Sequence, residues 1–291
     1  MNVSQVMVKV GFRSLSALAP KTAGKAAVRL FQYPGKRRLR PHETQLLTEA
    51  RIRHFAHEGQ FIPAYEMGPP HAPLVVLVHG WASWAGSLLG ISRKLSQLGF
   101  RVLSFDLPAH GYSKQAFTNL LKMAQAIQSV LAELNPKEPF SVVAHSLGAA
   151  AVAHLLTGHY HQVDHLVYLA TPDSFQSMFD KFAQSIGLNK AAHQAFEDEV
   201  SNRLRQPASK LSVSDFTASI RYRQLSVIHS KQDRVIPFRA TEGFIPDLPH
   251  SSLYALEGVG HYGMLWSKEV LDLLEQILVN ARLRVGSKLI S

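Results

Sequence analysis

From residue 60 onward, short apolar runs rich in β-branched residues alternate with longer stretches whose apolar positions recur every three or four residues. The runs fall at 74–78 (LVVLV), 100–105 (FRVLSF), 140–144 (FSVVA), 165–170 (HLVYLA), 225–229 (LSVIH) and 252–256 (SLYAL), and a shorter one at 60–65 starts the series. They lack the in–out alternation of a strand with one wet face, so the pattern predicts strands covered on both sides. Between them, Leu88, Leu89, Leu95 and Leu98 mark a helix over 87–98. Leu120, Leu121, Ala124, Ile127, Val130 and Leu131 mark another over 116–134, and further helices are expected over 147–157 and 267–279. Strand and helix in alternation predict an α/β fold, a mostly parallel sheet with helices on both faces.

The rhythm breaks once, over residues 173–222. Phe175, Met178, Phe179, Phe182 and Ile186 form one helical stripe there, and Phe196, Val200 and Leu204 another. This reads as a helical cap insertion, large enough to roof part of the sheet's carboxyl edge. Either both stripes simply pack on the body, or Phe175, Met178, Phe179 and Phe182 also line a substrate pocket together with Trp81.

Composition adds exclusions. The chain has no cysteine, which removes disulfides, thiol nucleophiles and thiolate metal sites. Its net charge of +10 is concentrated at one end: residues 1–53 carry eleven Lys/Arg against Glu43 and Glu49, and the remainder is close to neutral. A nucleic-acid-binding surface spread over the whole molecule is therefore not expected. The division expected is a basic N-terminal arm, 1–55, and a main domain, 56–291.

In the arm, Val3, Val6, Met7 and Val10 follow the spacing of a helix with one apolar stripe, against which Gly11 and Gly24 count. Three readings stand: a helix docked on its own domain, a basic amphipathic helix lying on anionic lipid through residues 1–40, or a transit peptide. No apolar run reaches the length of a membrane span, so the expected location is cytoplasmic, with peripheral contact at the inner membrane face.

The chemistry centres on SVVAHSLGAAAV, residues 141–152, where Ser146 sits between an apolar run and a cluster of very small side chains. A sharp strand-to-helix turn would force such residues around it and push the hydroxyl outward. A serine nucleophile needs a base, and the base needs an orienting group. In an open parallel sheet all three belong in loops at the carboxyl ends of strands. HSKQDRVIP puts Asp233 after one strand, EGVGHYGML puts His261 after the next, and HGWASWAG puts Trp81 after the strand at 74–78. Asp173, in LATPDSF, is the rival acid.

The order Ser146, Asp233, His261, with HGW at 79–81, DLPAHGYS at 106–113 and AHSLG at 144–148, resembles the α/β-hydrolase fold superfamily, and within it capped, esterase-like bacterial members. The likeness covers roughly 60–280. It departs at Ala144, where the family's G-x-S-x-G motif has glycine. The resemblance implies a Ser146–His261–Asp233 triad, and an oxyanion hole built from the backbone amides of Trp81 and Leu147. The expected activity is hydrolysis of a carboxylic ester or thioester of a small, fairly apolar acyl substrate. Same-triad acyl transfer, C–C hydrolysis and peptidase activity remain alternatives, as does a non-catalytic membrane-associated binding protein on the same scaffold. Asp106, His110 and Gly111 are expected to shape a loop, His79 to hold the oxyanion loop, and His145 to pack. Neither metal nor nucleotide spacing is present, so no cofactor is expected.

Overall fold

The computed structural model describes the backbone of residues 3–35, 39–158, 163–204, 207, 210–243 and 245–288; Lys36, Arg37 and Arg38 of the basic arm lie outside the described residues. The apolar runs become an eight-stranded sheet: β1 Arg51–His57, β2 Gln60–Met67, β3 Leu74–Val78, β4 Arg101–Phe105, β5 Phe140–His145, β6 Val163–Leu169, β7 Tyr222–Ser230 and β8 Ser251–Leu256. The helices of six residues or more are α1 Val3–Leu18, α2 Pro20–Phe31, α3 Leu89–Gln97, α4 Leu120–Leu134, α5 Leu147–Gly158, α6 Phe175–Ile186, α7 Lys190–Leu204, α8 Val213–Ala218 and α9 Lys268–Lys288.

The sheet runs β1-β2-β4-β3-β5-β6-β7-β8. The β1–β2 and β2–β4 pairs are antiparallel, and β4, β3, β5, β6, β7 and β8 run parallel. Strand β5 is buried along its whole length, which explains its unbroken apolar pattern. On one face, Val75, Leu77, Val143, Val167 and Ile228 pack with Ile91 and Leu95 of α3 and with Val270 and Leu274 of α9. Helix α5 packs against β3 and β5 and against α4. The strand order reverses between β3 and β5, and their register pairs Val78 with Ala144. This is the switch point where open α/β sheets form their crevice.

Strand β1 escaped the apolar-run criterion because it is an edge strand: Arg51, Ile52 and His54 are exposed, and only Phe55 and His57 are buried. It is tied in by charge. The buried Glu66 carboxylate accepts bonds from Arg51 at 2.6 Å, Arg53 at 3.2 Å and Arg101 at 2.9 Å, joining β1, β2 and β4. Burial works to raise the Glu66 pKa, but the bonds from Arg101 and Arg53 outweigh it and hold it below its usual value.

The chain divides into two compact units: Met1–Pro34 with Ser174–Ser212, and Gly35–Asp173 with Val213–Ser291. The expected boundaries shift accordingly. Residues 35–55, placed with the arm, belong to the sheet unit: Leu46 is buried, and Glu43 is buried accepting a bond from Trp84 Nε1 at 2.8 Å. Residues 213–222, placed with the insertion, do so too, as α8 and the first residue of β7.

The helical unit has its own interior. Phe31 of α2 meets Phe179, Phe182 and Phe196 edge-on, with ring centroids 5.4, 4.9 and 5.8 Å away. Gly24, expected to disfavour a helix, lies where α2 presses on α7. A Cβ there would stand 2.7 Å from the Ala195 carbonyl carbon, so glycine is what permits the contact. Asn189 Nδ2 donates to Ser16 O at 2.9 Å, fastening α1. Among the described residues, no helix is long and apolar enough to cross a membrane.

Candidate active site

Ser146 follows the last residue of β5 and precedes the first of α5. Its φ of 53° is in the left-handed region, which costs a non-glycine residue about 1–2 kcal/mol. Neighbouring strands hold that turn: Ser146 N donates to Leu169 O of β6 at 2.8 Å, and Ala149 N donates to Ser146 O at 2.9 Å. The small residues now have reasons. A Cβ on Gly148 would lie 2.3 Å from His79 O, and one on Gly80 would lie 3.0 Å from Ser146 Cβ. Ala144 is fully buried in β5, so its methyl is accommodated where the motif has glycine.

Two loops further along the sheet complete the arrangement. His261, after β8, places Nε2 3.1 Å from Ser146 Oγ and Nδ1 2.7 Å from Asp233 Oδ2. Against a carboxylate Nδ1 carries the proton, so Nε2 presents its lone pair and the Ser146 hydroxyl donates to it. The other Asp233 oxygen, Oδ1, accepts from Val235 N at 2.8 Å and Ile236 N at 2.9 Å. Burial works to raise the Asp233 pKa, but hydrogen bonds from His229, His261 and the Ile236 amide hold it well below the usual carboxylate range. All three side chains are buried. Asp173 is engaged elsewhere: its Oδ1 accepts from Ser214 N at 3.0 Å and Ser214 Oγ at 2.8 Å, at the start of α8.

The model of the alpha/beta hydrolase fold family matches residues 73–227, more than half of the chain. The chain belongs to the alpha/beta hydrolase fold family. It is 34% identical over 106 residues to the "Pimeloyl-[acyl-carrier protein] methyl ester esterase" of Nitrosomonas europaea, covering 36% of this chain and 40% of that one. It is 32% identical over 104 residues to the "Probable oxidoreductase EphD" of Mycobacterium tuberculosis, covering 33% of this chain and 17% of that one. The match thus spans well under half the length of either relative. Among solved structures, the esterase Pf2001 of Pyrococcus furiosus superposes with a TM-score of 0.65 at 18% identity, covering 85% of this chain and 98% of that chain.

In this alpha/beta hydrolase the loop after β3 is fastened to the loop after β4 by neutral histidines and one buried acid. His79 Nδ1 donates to Gly80 O at 2.8 Å, while its Nε2 accepts from Leu107 N at 3.0 Å. His110 Nδ1 donates to Pro108 O at 2.9 Å, and its Nε2 accepts from Ala82 N at 3.0 Å. Burial pushes His110 down to about 4, which preserves the lone pair that Ala82 needs. Ala82, at φ 50°, is itself left-handed. Asp106 accepts from Ala85 N at 2.9 Å, Tyr112 N at 2.9 Å and Tyr65 Oη at 3.0 Å; burial pushes it up to about 6 even so. Gly111 must be glycine, because a Cβ there would lie 2.3 Å from the Asp106 carboxyl carbon.

Asp106→Ala is expected to lower the unfolding free energy by at least about 2 kcal/mol, since it orphans two buried donors, Ala85 N and Tyr65 Oη, at about 1–3 kcal/mol each, besides the part-buried Tyr112 N. Urea denaturation measures it, and a loss under about 1 kcal/mol would contradict the bracing assigned to this carboxylate.

Two braces went unassigned in the sequence. His145, expected only to pack, donates from Nε2 to His261 O at 3.1 Å and so ties the serine turn to the histidine loop. Burial, and then repulsion from His261, push it down to about 3. His229 lies behind Asp233: its Nε2 donates to Ile236 O at 3.0 Å and stands 3.5 Å from Asp233 Oδ2, and its Nδ1 faces Thr241 Oγ1. The spacing of four residues between His229 and Asp233 was the available signal.

The remaining expected site residues divide. Trp81 is half-buried with its ring 5.5 Å from that of His110. Leu147 is the first residue of α5, where helix N–H groups have no intrahelical acceptor. Phe175 and Phe179 are buried within the helical unit, Phe182 joins the ring cluster around Phe31, and Met178 is half-buried on the same helix. Among the described residues, metal-ligating side chains gather at Asp180, His193 and Glu197 of the helical unit. Gln176 Nε2 already donates to both carboxylates there, which makes the group a hydrogen-bonded surface cluster.

Proposed function

We propose that the protein hydrolyses a carboxylic ester or thioester of a small, fairly apolar substrate through an acyl-enzyme on Ser146. The observation that carries this is the unbroken hydrogen-bonded chain from Asp233 through His261 to the Ser146 hydroxyl. His261 Nε2 takes the hydroxyl proton as Ser146 Oγ attacks the acyl carbon. The tetrahedral oxyanion is held by the amides of Leu147 and Trp81, each such donor contributing about 10²–10³ in rate. The start of α5 at Leu147 and the close approach of Gly80 to Ser146 support this reading. His261 then protonates the departing alkoxide or thiolate. In the second half it removes a proton from water, which attacks the acyl carbon, and it returns that proton to Ser146 Oγ as the bond from Oγ to the acyl carbon breaks. Asp233 fixes the tautomer and stabilises the imidazolium. The methyl ester esterase among the relatives favours an oxygen ester.

A fluorophosphonate probe tests the reading. One equivalent of label is expected, mapped by peptide mass spectrometry to Ser146, together with turnover of p-nitrophenyl acyl esters over a series of chain lengths. Absence of both labelling and turnover would overturn it. Labelling accompanied by acylation of an added alcohol or amine, and no release to water, would replace hydrolysis by acyl transfer.

A further inference from the structure

Helix α1 is apolar on two sides, and among the described residues one of them lacks a partner. Phe12 and Leu15 are half-buried and Ser16 is buried, on the side by which α1 packs on α2 and α6. Val6, Met7, Val10, Ala17 and Leu18, spaced as one helical stripe, are exposed on the other side; Met7, Val10 and Leu18 reach 68, 57 and 86% exposure. Solvated helix faces are ordinarily polar, so this stripe needs an occupant.

We propose that the stripe is a docking surface for a bilayer leaflet carrying anionic headgroups. The proposal stands apart from the hydrolase reading and needs none of its residues. Charge supports it first. No acidic residue occurs before Glu43, and Lys9 and Arg13 run along the edge between the packed and exposed faces of α1. Their stems lie against the Gly187 turn, Lys9 Cγ and Arg13 Cγ standing 3.0 and 2.9 Å from where a Cβ on that glycine would be. That geometry lets a charged head rise to a headgroup layer while apolar side chains enter below it. On α2, Lys21 and Lys25 share a groove with Asp198 and Glu199 of α7, so they are not counted towards this attraction.

Size supports it second. A helix of 16 residues is about 24 Å long, so one face covers roughly 250 Å². A stable protein–protein interface takes about 800 Å² per partner, which excludes a second copy held by this stripe alone. A bilayer sets no such threshold, because each apolar side chain that leaves water adds its own transfer free energy.

The test is co-sedimentation of the full chain with phosphatidylcholine vesicles prepared with and without phosphatidylglycerol, at low and high salt. The wild type is expected to pellet with the anionic vesicles, and to partition about tenfold less without phosphatidylglycerol or at high salt. Met7→Ser/Val10→Ser is expected to reduce partitioning by about tenfold or more with an unchanged melting temperature, since both side chains are exposed. Equal partitioning of the variant and the wild type would overturn the proposal. So would binding indifferent to phosphatidylglycerol, or a concentration-dependent dimer, formed without vesicles, that the variant abolishes.

Discussion

Replacing Ser146 with alanine is expected to lower kcat/KM for an activated ester by about 10⁴–10⁶-fold and to abolish fluorophosphonate labelling. The change deletes one oxygen. The turn that holds residue 146 is made by main-chain bonds to Leu169 and from Ala149, which alanine retains, so the rest of the site stays in place. Residual turnover above the uncatalysed rate would come from binding and from the amide donors proposed at Leu147 and Trp81. In the proposed scheme Ser146 and His261 act in one proton transfer, so their losses are expected not to add: Ser146→Ala/His261→Ala should be no slower than either single variant by more than about threefold. Full turnover in Ser146→Ala would end the acyl-enzyme scheme, and multiplicative losses in the double variant would separate the two residues' roles.

Asp233→Asn is expected to reduce kcat by about 10⁴-fold with little change in KM. The surroundings dictate which way the new amide points. Val235 N and Ile236 N both donate to Oδ1, so the asparagine oxygen must stay there and its NH2 group must face His261 Nδ1. A donor at that position turns the imidazole into the other tautomer, with its N–H against the Ser146 hydroxyl and no lone pair to receive the proton. The volume is conserved, so the loss is one of proton placement. Asp173→Asn serves as the contrast, because Asp173 bonds to Ser214, and kcat within about twofold of wild type is expected for it. A loss below tenfold in Asp233→Asn, or a large one in Asp173→Asn, would contradict the assignment of the acid.

The parallel core was legible because burial on both faces leaves unbroken apolar runs, and β3, β5 and β7 read directly as such. The three groups at the strand ends were legible for a related reason: Ser146, Asp233 and His261 each follow a run within a few residues, where a parallel sheet gathers its loops. Strand β1 was not, since an antiparallel edge strand held by Arg51 and Arg53 around Glu66 leaves a polar sequence. The grouping of residues 1–34 with the insertion was hidden for a different reason. It depends on contacts such as Gly24 against Ala195 and Phe31 against Phe196, which join segments far apart in the chain and leave no local periodicity. His145 and His229 were underread because one histidine in a loop has many ordinary roles, and the carbonyls they meet, of His261 and Ile236, belong to a tertiary arrangement.

The pairing of β6 with β7 runs from Val163 opposite Tyr222 to Leu169 opposite Ile228, and it lies between the nucleophile and its two partners. Everything up to β6 carries the hydroxyl; everything from β7 onward carries the imidazole and the carboxylate. Severed along that seam, neither half would own a working set. The ester turnover proposed for this molecule would therefore be a gauge of whether two portions of the polypeptide have zipped together, as much as of the reactivity of any one side chain.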